Sequence, residues 1–276
     1  MIVSCHSVPE GRRRDAGFTL TELAVVLLIV GLLLSSLMYT LSAQSEARNI
    51  GETQRRLEDA RELLIGFAIA NGRLPCPASA TSNGDESPSG GGPCTNHLNG
   101  FLPAIAIGFK PVDSSGHAID AWGNRLRYAV AQHATNPPTG TSCSSPVTPA
   151  FTNPANLKAN GIGCVPLNMV ACDATQNTSD PAPGVNPPTC GTWGASGDAR
   201  PVTNQRTVVA LVFSTGKNAA IGSGGADEAE NLDGDGVFVW HEPRPSSAAG
   251  GEYDDHMVWI PVGLLFNRMI AGGLLP

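Results

Sequence analysis

A single carboxylate stands at the start of an otherwise apolar segment near the N-terminus. Glu22 directly precedes an apolar run, residues 23–34, that contains no charged residue, and it closely follows Gly17 and Phe18. An ionised acid within a hydrocarbon layer is energetically expensive, so it requires a partner that carries positive charge. The position of Glu22 therefore predicts charge pairing, in which the carboxylate neutralises a cationic group, and not catalysis.

A second group of residues carries the oxygen atoms that a hard metal ion binds. Asn231, Asp233 and Asp235 alternate along a glycine-rich stretch, and with Gly236 and Glu242 they fall on the spacing of an EF-hand loop. A true EF-hand has flanking helices, whereas the flanks here predict strands. Calcium is the metal that such carboxylate, amide and carbonyl oxygens suit. The alternative is a solvated acidic turn, because Asp-Gly pairs are common in turns for conformational reasons alone.

Three interpretations of the N-terminal segment compete. A secretory signal peptide has a basic region and an apolar region, and residues 40–42 offer a small-residue cleavage site. The apolar segment 18–41, however, is about as long as the ~20 residues that a membrane-spanning helix needs. A plain membrane anchor accounts for this length and for the arginines at 12–14 through the positive-inside bias. Neither interpretation accounts for Glu22.

The third interpretation is a resemblance. After the arginines and ahead of the apolar run, the chain reads Gly17-Phe18-Thr19-Leu20-Thr21-Glu22. This arrangement resembles the N-terminus of type IV prepilins and of the pseudopilins of type II secretion systems. The resemblance implies that prepilin peptidase cuts after Gly17 and that the new N-terminus at Phe18 is methylated. It also implies that Glu22 neutralises the amine of a neighbouring subunit's Phe18 during filament assembly.

The same resemblance implies where the chain acts. Residues 1–17 would be a leader peptide, and residues 18–42 a transmembrane segment that becomes part of the filament core. The chain would span the bacterial inner membrane once, with a periplasmic C-terminal domain, and would then enter a pilus or pseudopilus filament. Its partners would be prepilin peptidase, other pilin or pseudopilin subunits and the inner-membrane assembly platform.

The net charge argues against a nucleic-acid partner. The sequence has 17 Lys and Arg residues against 24 Asp and Glu residues, a formal net charge of −7. Proteins that bind nucleic acid use basic patches to neutralise phosphates. We therefore expect membrane and protein partners and no nucleic acid.

The cysteines indicate an oxidising compartment. Cys5 lies in the predicted leader, which leaves an even set of six: Cys76, Cys94, Cys143, Cys164, Cys172 and Cys190. An even number in a domain outside the cytoplasm suggests disulfides, although the sequence does not choose among the many connectivities. The most economical hypothesis pairs neighbours: Cys76 with Cys94, Cys143 with Cys164, and Cys172 with Cys190. A zinc site is the alternative, but neither Cys-x-x-Cys nor a pair of histidines occurs nearby.

A long N-terminal helix must position Glu22. Beyond the apolar run, apolar residues continue at helical spacings among charged ones: Ile50, Leu57, Ala60, Leu64, Phe67 and Ala70. Asn71-Gly72 and Pro75 then predict the end of the helix. We expect a membrane or filament-core half at 18–42 and an amphipathic half at 43–72. The alternative is a separate second helix after a break at Gly51 or Gly66.

The remainder, residues 73–276, predicts one globular domain. Residues 73–100 form an irregular loop with two cysteines, and residues 102–109 a short strand or turn. Strands follow at 207–213, 236–240 and 256–262, and a short helix at 264–270 closes the core. The predicted class is α+β, a pilin-like fold with a long N-terminal helix packed on a small antiparallel sheet.

A long irregular stretch interrupts this domain. Residues 133–205 are rich in Pro, Asn, Thr and Gly and contain four of the cysteines. A compact domain seldom has so long a loop without a function, so we predict a disulfide-rich lobe inserted in the domain. It is the candidate surface for a binding partner, and the alternative is a solvated elaboration.

Two further segments resemble the major pseudopilin of type II secretion. Residues 120–124, Asp-Ala-Trp-Gly-Asn, are similar to its Asp-Pro-Trp-Gly-Asn signature, and we expect them to form a turn without chemistry. Residues 214–218 are similar to its Ser-x-Gly turn, which precedes a calcium-binding acidic loop. The resemblance implies a calcium site with these residues: Asp233 and Asp235 as the best matches, then Asn231 and Asp227. Weaker candidates are Glu242, Asp254 and Asp255.

No catalytic arrangement emerges from the sequence. The histidines are scattered, and no glycine-rich phosphate loop precedes a helix. The leading hypothesis is a structural subunit, a minor pilin or pseudopilin of a type IV pilus or type II secretion filament, and not an enzyme. The alternative is a filament-displayed or membrane-anchored binding or adhesion module that uses the cysteine-rich lobe. A membrane-anchored periplasmic hydrolase is a third possibility.

Overall fold

The computed structural model describes residues 19–132, 150–160, 167–175, 188–190, 199–204, 206–220 and 224–275, with the backbone alone for 36–42, 160 and 220. In these ranges the order of elements is α1 (Leu20–Asn71), β1 (Gly100–Phe101), α2 (Ala104–Ile107), β2 (Arg127–Val130), α3 (Pro154–Asn160), β3 (Val170–Cys172), β4 (Val208–Ser214), α4 (Ala226–Glu230), β5 (Val237–Val239), β6 (His256–Pro261) and α5 (Val262–Ala271). The chain divides into two compact units, Met1–Arg48 and Asn49–Pro276. The predicted α+β class is confirmed.

Helix α1 ends where the sequence predicts. In the second unit its buried residues recur every three or four positions: Thr53, Leu57, Ala60, Leu64 and Ala68. The helix passes through Gly51 and Gly66 without a break. Gly72 follows the last turn with a φ of +68°, and its N–H donates to the Ala68 carbonyl at 2.9 Å. A glycine in the left-handed region is a common helix end because it has no Cβ to clash.

The main sheet is antiparallel, with strand order β1-β2-β4-β6. All residues of the central strand β4 are buried, which explains why its sequence is continuously apolar. Its Val212 pairs with Tyr128 of β2 and with Val258 of β6. The terminal helix α5 buries Leu265, among others, in the same core. These features confirm the predicted strands and closing helix.

Two local predictions differ from the structure. Residues 102–109 contain the short helix α2, which follows Pro103 and ends at Gly108 with a φ of +73°. Strand β5 does not join the antiparallel sheet but pairs in parallel with β3, with Val170 opposite Val237. The purely antiparallel arrangement was therefore wrong for β5. Its partner β3 lies inside the stretch that was predicted to be a loop, so the sequence offered no strand there for β5 to pair with.

Several described residues of the 133–205 stretch belong to the domain core. Phe151, Leu157, Leu167 and Met169 are all buried in the main hydrophobic cluster. The carbonyl of Phe151 accepts a hydrogen bond from the N–H of Leu74 at 2.8 Å. The prediction of a surface lobe was therefore wrong for these residues. In the sequence they are apolar residues among Pro, Asn and Thr, but in the structure they pack into the core.

Two of the three predicted disulfides are present. Cys76 pairs with Cys94 and Cys172 with Cys190, at Cα–Cα distances of 5.3 and 5.5 Å. Cys143 and Cys164 lie outside the described residues. A second, smaller hydrophobic cluster surrounds the Cys172–Cys190 disulfide and also contains Val170, Ala199 and Val237.

The first disulfide loop is organised by a buried ion pair. The Arg73 guanidinium lies 2.7 Å from the Glu86 carboxylate. Glu86 also accepts hydrogen bonds from the backbone N–H groups of Cys76 and Gly90. Because a buried charge is stable only when it is paired and hydrogen-bonded, this network fixes a loop that has almost no regular structure.

Candidate functional site

The N-terminal motif begins helix α1 with a capping box. Gly17 and Phe18 lie outside the described residues, and the described part starts at Thr19. The N–H of Glu22 donates to Thr19 Oγ1 at 3.2 Å, and the N–H of Thr19 donates to Glu22 Oε2 at 2.8 Å. This reciprocal arrangement satisfies two backbone donors that a helix start leaves unpaired. Glu22 therefore has a structural role besides the predicted charge pairing.

The first turns of α1 expose apolar side chains all round. The large apolar residues from Leu20 to Leu34 are between 43% and 85% exposed. Within the described ranges, no helix combines the length and the apolar character that crossing a membrane requires. The predicted span 18–42 includes Phe18 and side chains 36–42, which are outside those ranges.

Asp227, one of the predicted calcium ligands, is tied to other parts of the protein. Its Oδ2 accepts hydrogen bonds from Arg244 and from His241 Nε2, and its Oδ1 accepts one from the N–H of Thr175. Burial opposes ionisation, but hydrogen bonds from Thr175, Arg244 and His241 lower the pKa of Asp227 below its usual value. This carboxylate is already paired with the Arg244 guanidinium.

The other predicted ligands are held by local hydrogen bonds. Asn231 is buried, and its Oδ1 accepts the N–H of Val239 at 2.7 Å. Asp233 Oδ1 accepts the N–H of Asp235 at 3.1 Å, and Asp235 Oδ1 accepts the N–H of Val237 at 2.7 Å. Asp233 and Asp235 lie together, with Glu230 as the third acid. The structure thus groups two of the four predicted ligands and places Asp227 and Asn231 in other contacts.

A different trio of acids converges beside α4. One oxygen each of Glu228, Asp254 and Asp255 lies within 4.8 Å of the others. Asn218 Nδ2 donates to both Glu228 oxygens at 3.0–3.2 Å, and Asn231 Nδ2 donates to Asp255 Oδ2 at 2.7 Å. Three carboxylates are thereby held within reach of a single cation.

Not all oxygens of this trio are satisfied. Asp254 Oδ2 accepts the N–H groups of Lys217 and Asn218, at 2.9 and 3.2 Å. The Oδ1 atoms of Asp254 and Asp255 are buried and have no hydrogen-bond partner in the described part of the chain. A native protein seldom leaves such atoms unsatisfied, so each one requires an explanation.

The surroundings disfavour ionisation of all three acids. Burial raises the pKa of Glu228 to about 7, and the charge of Asp254 adds to the effect. Burial also raises the pKa of Asp254 and, still more, the pKa of Asp255. Desolvation is the main cause of these raised pKa values, and repulsion between the neighbouring carboxylates adds to it.

Glycines allow the backbone to approach these carboxylates closely. A Cβ at Gly224 would lie 1.8 Å from Glu228 Oε2, and one at Gly216 would lie 1.9 Å from Asp254 Oδ1. Gly216 also has a φ of +62°, which side chains other than glycine rarely adopt. A Cβ at Gly216 would also lie 2.6 Å from the Asp254 carbonyl oxygen, so this position requires glycine, whereas a Cβ at Gly224 would require the Glu228 side chain to shift.

The turn at residues 120–124 supports this region. Asp120 Oδ2 accepts the hydroxyl of Ser214 at 2.6 Å, and Asn124 Nδ2 donates to the Gly216 carbonyl at 2.7 Å. The turn thus fixes the Ser214–Gly216 segment against which Asp254 lies. This agrees with the structural role predicted for it.

Sequence reasoning missed Glu228 and gave little weight to Asp254 and Asp255. Glu228 has no place in the alternating pattern of Asn231, Asp233 and Asp235, and the two aspartates lie 26 or more residues beyond it. The glycines flanking α4 were the available signal, because they mark close approaches of the backbone.

Comparison with known proteins identifies the N-terminal segment alone. No curated protein and no solved structure matches the chain, so the comparison of its C-terminal part with the major pseudopilin stays a prediction. Residues 12–38 match the family described as the prokaryotic N-terminal methylation motif. The match contains Gly17, Phe18 and Glu22, the residues that sequence reasoning singled out. The chain therefore carries the prepilin-type N-terminal signature.

Proposed function

We propose that the chain is a structural subunit, a minor pilin or pseudopilin, of a type IV pilus or type II secretion filament, and that it is not an enzyme. The observation that carries this proposal is the N-terminal methylation motif at residues 12–38. The motif implies processing by prepilin peptidase and assembly with other pilins. In this account the chain is anchored in the inner membrane, with its C-terminal domain in the periplasm, until it enters the filament.

The exposed apolar start of α1 supports the proposal. A helix that is apolar on all sides is stable only where lipid or other helices cover it. Lipid covers residues 20–34 before assembly, and helices of other subunits cover them afterwards. The compact unit that begins at Asn49 stays outside the membrane.

Glu22 can perform two roles at once. Its Oε2 accepts both the N–H and the hydroxyl of Thr19, at 2.8 Å each. Its Oε1 has no hydrogen-bond partner among the described residues, so it is able to receive a cationic donor from another molecule. We infer that this donor is the N-terminal amine of Phe18 in the neighbouring subunit, because a charge-assisted hydrogen bond offsets the expense of placing the acid among apolar helices.

The test separates helix capping from charge pairing. Glu22→Gln keeps an oxygen acceptor for the cap and removes the charge, and Thr19→Ala weakens the cap and keeps the charge. Glu22→Ala removes both the charge and the acceptor for the Thr19 N–H. Processing is scored by the size of the membrane-bound chain, and assembly by the amount of chain in sheared filaments. We expect processing in all three variants, and assembly in Thr19→Ala alone. Normal assembly of Glu22→Gln would show that the charge is not needed.

A second candidate function is a binding module displayed on the filament. It is favoured by the disulfide Cys172–Cys190, which lies in a small hydrophobic cluster of its own. Deletion of the whole 133–205 stretch is not a clean test because Phe151 and Met169 belong to the main core. Shortening 177–186 keeps both residues and the disulfide. Filaments that assemble normally but lose attachment to cells or to a secreted protein would support this function, and unchanged attachment would contradict it.

A further inference from the structure

Strand β6 forms one edge of the main antiparallel sheet. Within the described ranges, β4 is the one strand that pairs with it. Its six residues, His256–Pro261, include no acidic residue and neither lysine nor arginine. Natural proteins usually protect an edge strand with charges or cover it, because its unpaired N–H and C=O groups attract another strand. An uncharged edge of this length therefore points to a partner that covers it.

The backbone groups of Met257 and Trp259 point away from β4. The N–H of Val262, directly after the strand, donates to the Thr207 carbonyl on the β4 side at 2.8 Å. Neighbouring residues of an antiparallel strand direct their backbone groups to opposite sides, so Pro261, Trp259 and Met257 face outward. A proline fits this series because an outward position needs no N–H. Met257 and Trp259 form no backbone hydrogen bond to a described residue outside the sheet.

Two adjoining cavities lie along this edge. One, of about 300 Å³, is lined by three consecutive residues of the strand, Met257, Val258 and Trp259. Because consecutive side chains of a strand point to opposite faces of the sheet, a cavity that all three reach lies beside the strand and not over one face. The other cavity, of about 540 Å³, shares Glu58, Met257 and Val258 with the first. Together the two cavities form a groove along β6, here named the edge groove.

Helix α1 forms the opposite wall of the edge groove. On this side the groove is lined by Gln54, Arg55, Leu57, Glu58 and Arg61, among others. Trp240 lines the larger cavity and Trp259 the smaller one, and their half-buried rings meet edge to face with centroids 5.9 Å apart. An extended peptide binds such a sheet edge by adding a strand: main-chain hydrogen bonds provide affinity, and pockets for alternate side chains provide specificity.

The unpaired charge of the groove is negative. Arg55 is bound by Glu52 at 2.8 Å, and Arg61 by Glu58 at 2.6 Å. Glu242 is exposed in the wall of the larger cavity and forms no ion pair with a described residue. Complementary charge steers and orients a partner, so a segment with lysine or arginine suits this groove. A second copy of the chain, with a formal net charge of −7, is less suitable.

We propose that the edge groove binds an extended segment of another protein that carries lysine or arginine. The segment adds to the four-stranded sheet as a fifth strand beside β6. Its main chain pairs with the outward groups of Met257 and Trp259, and its alternate side chains enter the two cavities. The proposal does not rest on the filament role, because binding is measured on the purified chain.

The first experiment tests pairing through the peptide backbone. The probe is the synthetic peptide Lys-Val-Thr-Val-Thr-Val-Thr-Lys, and its binding to the full chain in detergent is measured by fluorescence anisotropy. One modified form is N-methylated at the valines and another at the threonines. Each form loses the N–H donors along one side of the extended peptide, so the two are matched controls for each other. A third form has glutamate in place of both lysines.

We expect the unmodified peptide to bind. One methylated form should bind at least about tenfold more weakly, and the other as well as the unmodified peptide, because one side alone faces β6. The form with glutamate should bind about threefold or more weakly. Absence of binding, or equal binding of the two methylated forms, would overturn the proposal whatever the outcome for filament assembly.

The second experiment tests the same pairing from the side of the protein. Trp259→Thr and Trp259→Pro both remove the indole ring, but only the proline variant also removes the outward N–H. We expect the proline variant to bind the peptide about tenfold more weakly than the threonine variant, with a similar Tm that shows that both fold. Sedimentation of the chain without peptide tests the alternative occupant. A wild-type dimer that Trp259→Pro dissociates would assign the edge to a second copy and contradict the proposal.

Discussion

The carboxylate of Asp227 pairs with the guanidinium of Arg244, and this ion pair joins helix α4 to the segment that follows strand β5. The same carboxylate accepts the N–H of Thr175, which comes from the stretch predicted to be a loop. One side chain thereby connects three segments that are far apart in sequence. Its neighbour Glu228 instead accepts hydrogen bonds from Asn218 Nδ2 and from the N–H of Asp254, and it forms no ion pair with the residues that the structure describes.

Removal of the Asp227 carboxylate should destabilise the domain. We expect Asp227→Ala to lower the free energy of unfolding by about 2–4 kcal/mol, because a buried ion pair is broken and two donors lose their acceptor. Asp233→Ala, at an exposed acid six residues along, should change it by less than about 0.5 kcal/mol. Denaturant unfolding of the two variants checks the comparison. Equal losses of unfolding free energy in the two variants would show that the Asp227 contacts do not stabilise the domain more than an exposed acid does.

Each described disulfide should stabilise the fold by a similar amount. Both join residues separated by 18 positions. Constraining a loop of that length in the unfolded chain is worth about 3 kcal/mol. We expect the double variants Cys76→Ser/Cys94→Ser and Cys172→Ser/Cys190→Ser to lose about that much, measured by urea unfolding without reductant. A loss in one pair only would mean that the other bond does not form in the native protein.

His97 should make the stability depend on pH. Burial lowers the pKa of His97 from 6.5 to about 4. Between these values the unfolded chain binds a proton that the folded chain does not, so this contribution is present above pH 6.5 and is lost as the pH falls towards 4. The difference in Tm between wild type and His97→Gln should therefore change steadily between about pH 7 and pH 4. A difference that is constant with pH would contradict the shifted pKa.

Glycine-to-alanine substitutions should distinguish a glycine that is in close contact with other atoms from a glycine that faces open space. Gly216→Ala places a Cβ against the Asp254 carboxylate at a φ of +62°, so we expect lower stability. Gly263→Ala lies in helix α5, where a Cβ meets nothing within 4 Å. Because alanine favours helix, that variant should be unchanged or more stable by up to about 1 kcal/mol. Thermal unfolding of the two variants checks the prediction, and an unchanged Tm for Gly216→Ala would argue against the close contact.

Local patterns predicted the regular elements well. The end of α1 at Asn71, the buried strand β4 and the closing helix α5 each follow from the spacing of apolar residues and from a glycine or proline beside them. These features depend on residues a few positions apart, which is why sequence alone was sufficient.

Long-range features could not be predicted in the same way. Strand β3 is only three residues long, and it pairs with β5, which lies more than sixty residues further along the chain. So short a strand has too little hydrophobic alternation to specify its partner or its register. Likewise, the sequence near residues 231–235 showed that acidic side chains are available in this region, but not what each of them contacts. Which acid receives Arg244 and which is left unpaired depends on how the segments at 244 and 254–255 fold back on α4.

The identity of the mature N-terminus tests the central claim most directly. The chain is extracted from membranes of its native host and from a strain that lacks prepilin peptidase, and the N-terminal peptide is analysed by mass spectrometry. The prepilin account predicts a chain that starts at N-methylated Phe18 in the host and keeps residues 1–17 in the peptidase mutant. A chain that starts at Ala43, as after signal-peptide cleavage, or one that keeps its leader in both strains, would contradict it.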